Sequence, residues 1–165
     1  MRIGYNNPNK IRIVPWRLLD WMLPGPFVFQ GDMAMTLNDL SSEQQEFVHL
    51  ALSGKNVLCD ACIGSGKTST INVLCDAYPP ERRILYLTYN RLLKLDAKDK
   101  IKNGNVLVQN YHGFASLLLN KKGIRNCGQG EQLAMVLEKK VPIPPIDTLI
   151  IDEYQDINDE IAELL

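Results

Sequence analysis

The sequence contains no long uncharged apolar run. The longest one near its start, Trp21 to Gly31, holds Pro24 and Pro26 and is far too short to span a bilayer. It follows Arg2, Lys10, Arg12, Arg17 and Asp20 without a signal-peptide layout, so a cytoplasmic protein with no membrane partner is expected. Charge of one sign is lacking too. Eighteen Lys and Arg against 19 Asp and Glu leave a net charge of −1, so any affinity for nucleic acid has to come from local basic patches. Cysteine is scarce at four residues, a usage that fits a reducing compartment. Cys59 and Cys62 form a C-x-x-C, but zinc would need two more ligands and would compete with whatever the loop around Cys62 binds. No internal repeat is visible. What remains is 165 residues that are 45% hydrophobic and 22% charged, the profile of one globular domain with a sizeable core.

The chain is organised around Val57-Leu-Cys-Asp-Ala-Cys-Ile-Gly-Ser-Gly-Lys-Thr68, in which a short apolar strand enters a glycine loop and then a helical run, Ser69 to Tyr78. Gly64 and Gly66 let the backbone turn so that successive N–H groups, Ser65 among them, converge on one point, and the helix adds its positive N-terminal dipole there. An anion belongs at that point. Lys67 would reach the β- and γ-phosphates of a nucleoside triphosphate, and Thr68 would give its hydroxyl to the accompanying Mg2+. The motif's first position holds Ala61 in place of Gly.

A second stretch answers the first. Thr148-Leu-Ile-Ile-Asp-Glu-Tyr-Gln-Asp156 is an apolar run of strand length ending in paired acids, and the carboxyl edge of an open α/β sheet is where ligands bind. Asp152 is expected to hold the Mg2+ bound by Thr68. Glu153 would orient or deprotonate the water that attacks the γ-phosphorus. The bland alternative is a solvated acidic turn.

Residues 1–35, with Pro8, Pro15, Pro24, Pro26 and both tryptophans, read as an extension without an assignable role and with at most a short helix near Trp16 to Met22. From there to residue 165 the pattern is regular. Ser41 or Ser42 caps a helix with apolar positions Phe47, Leu50 and Ala51, and strands are predicted at Asn56 to Asp60, Ile84 to Thr88, Val106 to Asn110 and Thr148 to Ile151. Between them lie helices at Arg91 to Lys102, Tyr111 to Leu119 and Glu131 to Lys140, and a last one starts at Asn158. In the first of these, Leu93, Ala97 and Ile101 share one face, while Lys94, Lys98 and Lys102 form a stripe that reads as a solvated face. Strands alternating with helices predict an α/β fold, a RecA-like P-loop core with a parallel sheet and helices on both faces.

Together these motifs resemble the first RecA-like domain of UvrD/Rep-type superfamily 1 DNA helicases, from about Leu40 onward. Leu40-Ser-Ser-Glu-Gln-Gln45 looks like the family's glutamine motif, and Ala61-Cys-Ile-Gly-Ser-Gly-Lys-Thr68 like its Ala-x-x-Gly-Ser-Gly-Lys-Thr loop, which accounts for Ala61. Thr88-Tyr-Asn-Arg91 is similar to the first DNA-contact motif and Tyr111-His-Gly-Phe114 to the second, and Asp152-Glu-Tyr-Gln-Asp156 matches the Asp-Glu-x-Gln-Asp box. Ser69 stands where many members have an arginine beside adenine, and the first DNA-contact motif is one residue shorter than Thr-Phe-Thr-Asn.

The resemblance implies ATP with Mg2+ as ligands, adenine reading by Gln44, and an ATPase that drives movement on single-stranded DNA. Tyr89 and Tyr111 would offer ring faces to bases, and Asn90 and His112 would bond to phosphates. Each ring alone could equally be a packed core aromatic. The chain ends soon after Asp156, so the domain is expected to be incomplete at that end, with a second RecA-like domain supplied in cis or in trans. By itself it is then expected to bind ATP with little hydrolysis, and the competing reading is a shortened ATP-binding module that acts through a partner.

Overall fold

Ser41 and Gln44 start the first helix of the regular region reciprocally. The Ser41 hydroxyl accepts from the Gln44 N–H at 3.3 Å, and the Gln44 side-chain carbonyl accepts from the Ser41 N–H at 2.8 Å. This capping box satisfies two donors that the first turn would otherwise leave without partners, and helix α1 runs Ser42–Leu52 behind it. The computed structural model describes residues 2–5, 35–62, 64–89, 91–124, 128 and 130–165, with the backbone alone for 2–5. The helix expected near Trp16 lies outside the described residues. The chain divides into two units, residues up to Arg82 with Asp99–Val106, and Arg83–Lys98 with Leu107–Leu165.

In the first unit, strand β1 (Arg2–Tyr5) pairs antiparallel with β2 (Val57–Asp60), Ile3 facing Cys59. The strand that enters the glycine loop was expected to join a parallel sheet, but its hydrogen-bonded partner is this N-terminal segment. It is not buried throughout either, because Leu58 and Asp60 point outward while Val57 and Cys59 are half-buried. Helix α2 (Lys67–Ala77) packs on α1, and Val48 of α1 and Ile71, Leu74 and Cys75 of α2 are buried. Within α1 it is Val48, not Phe47 or Leu50, that is wholly buried. The Tyr78 hydroxyl donates to the Ala51 carbonyl at 3.2 Å and ties the ends of the two helices together. The Asp76 carboxylate accepts from the N–H groups of Lys102 and Asn103, and the Asn103 amide donates to the carbonyls of Cys75 and Tyr78.

The second unit is built on a three-stranded sheet in the order β4 (Val106–Asn110), β3 (Ile84–Thr88), β5 (Thr148–Ile151). β3 and β5 run parallel, with Ile84 opposite Thr148 and Leu87 opposite Ile151. Every residue of β3 is buried, as suits a central strand covered on both faces. A fork at the sheet's start sets the register, since the Asp147 carboxylate accepts from the Arg83 N–H and twice from its guanidinium, at 2.9 to 3.1 Å. Helix α3 (Arg91–Lys100) buries only Ala97 fully and leaves Leu92 77% exposed.

Helix α4 (Tyr111–Lys121) is capped by the Asn110 side chain, which accepts from the Gly113 N–H at 3.2 Å. A Cβ at position 113 would meet the Asn110 Oδ1 at 2.5 Å, so a side chain there would displace this cap. Phe114, Leu118 and Leu119 of α4 form one core with Leu85 and Leu87 of β3, Leu133 and Val136 of α5 (Gln132–Glu138), and Ile161 and Leu164 of α6 (Asp159–Leu164). The protein is thus α/β, with a parallel three-stranded sheet flanked by helices, in keeping with a P-loop NTPase core. Among the described residues no helix is long and apolar enough to cross a membrane.

Candidate functional site

The glycine loop has the backbone that its sequence calls for. Gly64 (φ +80°) and Gly66 (φ +79°) both lie in the left-handed region, and the Ser65 N–H donates to the Cys62 carbonyl at 3.2 Å, closing a turn. Gly66 is the N-cap of α2, so the helix begins at Lys67, two residues before the predicted Ser69. Thr68 and Ser69 consequently sit, half-buried, in its first turn. The first N–H groups of a helix have no partner within it and carry the positive end of its dipole, which makes this turn suited to an anion. The Thr70 hydroxyl donates to the Gly66 carbonyl at 2.9 Å and braces the junction. The Lys67 ammonium donates to the carbonyls of Ala61 (2.9 Å) and Cys62 (3.2 Å) and so arches over the loop that would hold the phosphates.

Gln44 lies against the glycine loop. Its amide donates to the Ser65 carbonyl at 2.9 Å while its carbonyl serves the capping box, so both ends of the group that was to read adenine are bonded to backbone. A Cβ on Gly66 would come within 2.8 Å of the Gln44 Nε2, so a side chain there would push that amide aside.

The acidic stretch, in the other unit, is anchored by burial. Asp152 follows β5 directly, is 4% exposed, and its N–H donates to the Leu87 carbonyl at 3.0 Å, extending the ladder with β3 by one step. Its Oδ2 accepts from the Tyr86 hydroxyl at 3.2 Å and its Oδ1 from the Glu153 N–H at 3.1 Å. Sequence reasoning missed Tyr86. The available signal was a tyrosine within a fully buried aliphatic strand, where the hydroxyl must find a polar partner. Glu153 itself has φ +56°, left-handed for a residue with a side chain, and accepts through its carboxylate from the Gln155 amide. Among the described residues no three His, Cys, Asp or Glu gather to hold a metal by themselves.

The four residues expected to meet DNA separate. Tyr89, next after β3, is 53% exposed, and His112 is exposed at the start of α4. Asn90 lies outside the described residues. Tyr111 is a correction, because its ring is 2% exposed inside the apolar core and has no face to offer a base. Among the described residues its hydroxyl has no hydrogen-bond partner, and burial, with the negative charges of Asp152 and Asp156, pushes its pKa up to about 12. The reason is the register of α4, in which Tyr111 shares its inward face with Phe114, Ala115 and Leu118. On α3, the Lys94 ammonium donates to the Gln109 side chain at 3.3 Å, and burial, followed by Lys98 and Arg91, lowers its pKa.

No curated protein and no solved structure matches the chain. A family model described as AAA domain matches residues 44–165, the whole stretch from Gln44 through the glycine loop to the acids and beyond. That match covers well over half of the sequence, and with the loop geometry above it shows that the chain belongs to this AAA domain family of P-loop nucleotide-binding proteins.

Proposed function

We propose that the chain is the ATP-binding part of an ATP-dependent DNA helicase or translocase, in which nucleotide hydrolysis drives movement on single-stranded DNA. The observation that carries this reading is the left-handed Gly64 and Gly66 turn feeding α2 at Lys67, a cradle for a polyphosphate. In it, Lys67 would meet the β- and γ-phosphates, and the first N–H groups of α2 would meet the phosphate oxygens beside them. Thr68 and Asp152 would hold Mg2+, which would supply neutralisation of charge on the phosphate oxygens. Glu153 accepts the proton of the attacking water. The order of the five motifs supports the helicase class, and the exposed ring of Tyr89 supports stacking on unpaired bases.

Two titrations test the reading. A fluorescent ATP analogue with Mg2+ should bind the wild-type chain, and Lys67→Ala should weaken it by at least about a hundredfold with the melting temperature unchanged. Labelled oligo-dT should bind in a salt-dependent way, and Tyr89→Ala should weaken it by about 1–3 kcal/mol. Absence of nucleotide binding by the wild type would sink the whole reading. Nucleotide binding without any oligo-dT binding would leave a nucleotide module that acts through a partner.

A further inference from the structure

We infer that the face of α3 carrying Arg91, Lys94 and Lys98 holds successive phosphates of a single-stranded nucleic acid, with Gln109 as the residue that positions Lys94. This deepens the DNA part of the function proposed above and rests on it. Of the lysine stripe predicted from spacing, Lys94 and Lys98 lie on α3 and Lys102 falls beyond its end. Arg91 completes the face instead, because residues at i, i+3 and i+7 fall within roughly 60° of one another at 3.6 residues per turn. The acids of the same helix, Asp96 and Asp99, fall outside that face. Neighbours along it lie about 5–6 Å apart, so each cation can take a different phosphate of an extended strand.

Like charges at this spacing are unfavourable unless something compensates them. Among the described residues no carboxylate pairs with Arg91, Lys94 or Lys98. Arg91 and Lys98 are exposed, whereas Lys94 is half-buried and feels both of them, since their charges add to burial in lowering its pKa. The Lys94 ammonium donates to a neutral group, the Gln109 side-chain carbonyl, at 3.3 Å. That oxygen lies against the first turn of α4, where a Cβ at position 113 would stand 2.9 Å from it. Lys94 is therefore aimed without being neutralised, and an ammonium has three protons to donate. Charge complementarity calls for a polyanion. A nucleic acid fits better than an acidic peptide because Tyr89, two residues ahead of Arg91 in the chain, exposes a flat ring on which an unpaired base can stack.

The experiment titrates labelled oligo-dT from low to high salt against wild type, Lys94→Ala, Gln109→Glu and Lys122→Ala, with polyglutamate as a competitor. Lys94→Ala should weaken oligo-dT about threefold to tenfold. It should also make the log–log salt dependence shallower by about 0.7, the share of one phosphate contact on a single strand. Gln109→Glu keeps the shape of the side chain and gives Lys94 the carboxylate it lacks. It should weaken oligo-dT at least as much while raising the melting temperature, whereas damage to the fold would lower both. Lys122→Ala removes the same charge at the C-terminal end of α4 and should leave affinity within about twofold. Oligo-dT binding that neither Lys94→Ala nor Gln109→Glu weakens would overturn the inference. So would an equal loss from Lys122→Ala, or polyglutamate that competes as tightly as unlabelled oligo-dT. If the wild type binds no oligo-dT, the DNA reading itself fails.

Discussion

The glycine loop and the acidic strand are held by opposite means. Around the loop, Lys67, Gln44 and Thr70 bond to backbone carbonyls in half-exposed surroundings, and the glycines give the turn its shape. Asp152 is held instead by a strand ladder against the wholly buried β3 and by a tyrosine hydroxyl that has no access to solvent. A loop fixed by a few directional bonds can lose function while the fold stands. A carboxylate fixed by the core cannot be disturbed without disturbing the fold as well.

The hardest blow to this contrast is Phe114→Ala, which empties a fully buried site beneath the acidic strand's sheet. It should cost about 3–5 kcal/mol in urea unfolding. A comparable loss from Lys67→Ala, expected to leave stability unchanged, would erase the distinction.

Tyr86→Phe comes next. Removing the hydroxyl deprives the buried Asp152 of a donor, and a hydrogen bond to a charged group contributes about 1.5–3 kcal/mol. Unfolding should register that loss, and the Mg2+ concentration needed for ATP-analogue binding should rise. An unchanged Mg2+ requirement would mean that the tyrosine serves the fold only.

Tyr111→Phe should act in the other direction, because it removes a buried hydroxyl that has no partner among the described residues. A gain of up to about 1 kcal/mol at neutral pH is expected. The folded pKa of about 12 lies above the ordinary 10, so the folded state holds the proton more tightly than the unfolded chain does. The resulting stability is complete below pH 10 and is lost as pH rises towards 12. Wild type should therefore weaken over that window more steeply than the phenylalanine variant, and parallel curves would refute the assignment.

The smallest effect carries no stability change. Cys62 is exposed in the loop, Cys59 is half-buried with its pKa raised by burial, and Cys75 is fully buried with its pKa pushed up to about 12 by burial and then by Asp76. Alkylation rates should fall in that order, and Mg-ATP should slow modification at Cys62. Equal rates with and without nucleotide would separate Cys62 from the ligand.

The strands at Ile84, Val106 and Thr148 were legible to the residue, since each is an apolar run between polar or proline-bearing stretches. Helix ends were less so. α3 stops at Lys100, short of the expected Lys102, because the Asp76 carboxylate takes the N–H groups of Lys102 and Asn103, a partner 26 residues away that periodicity cannot reveal. β1 was illegible for the same reason, since four residues become a strand only by finding β2. At the site, the glycine positions could be read from local conformational need. The bonds of Gln44 to Ser65 and of Tyr86 to Asp152 span 21 and 66 positions and could not.

Glu153 and Lys140 both occupy left-handed backbone that glycine would adopt without strain. At Lys140 this is the ordinary end of a helix, closed by its N–H to the Leu137 carbonyl and by the Val141 N–H to that of Val136. A glycine there would simply stabilise the protein by about 1 kcal/mol. At Glu153 the same replacement would give a similar gain and delete the carboxylate nearest to Asp152 in the chain. An engineer who ranked substitutions by stability alone would accept both. With Glu153 in the role proposed above, selection for phosphate chemistry would accept the first and reject the second, so the two positions should diverge in any library screened first for thermal resistance and then for turnover.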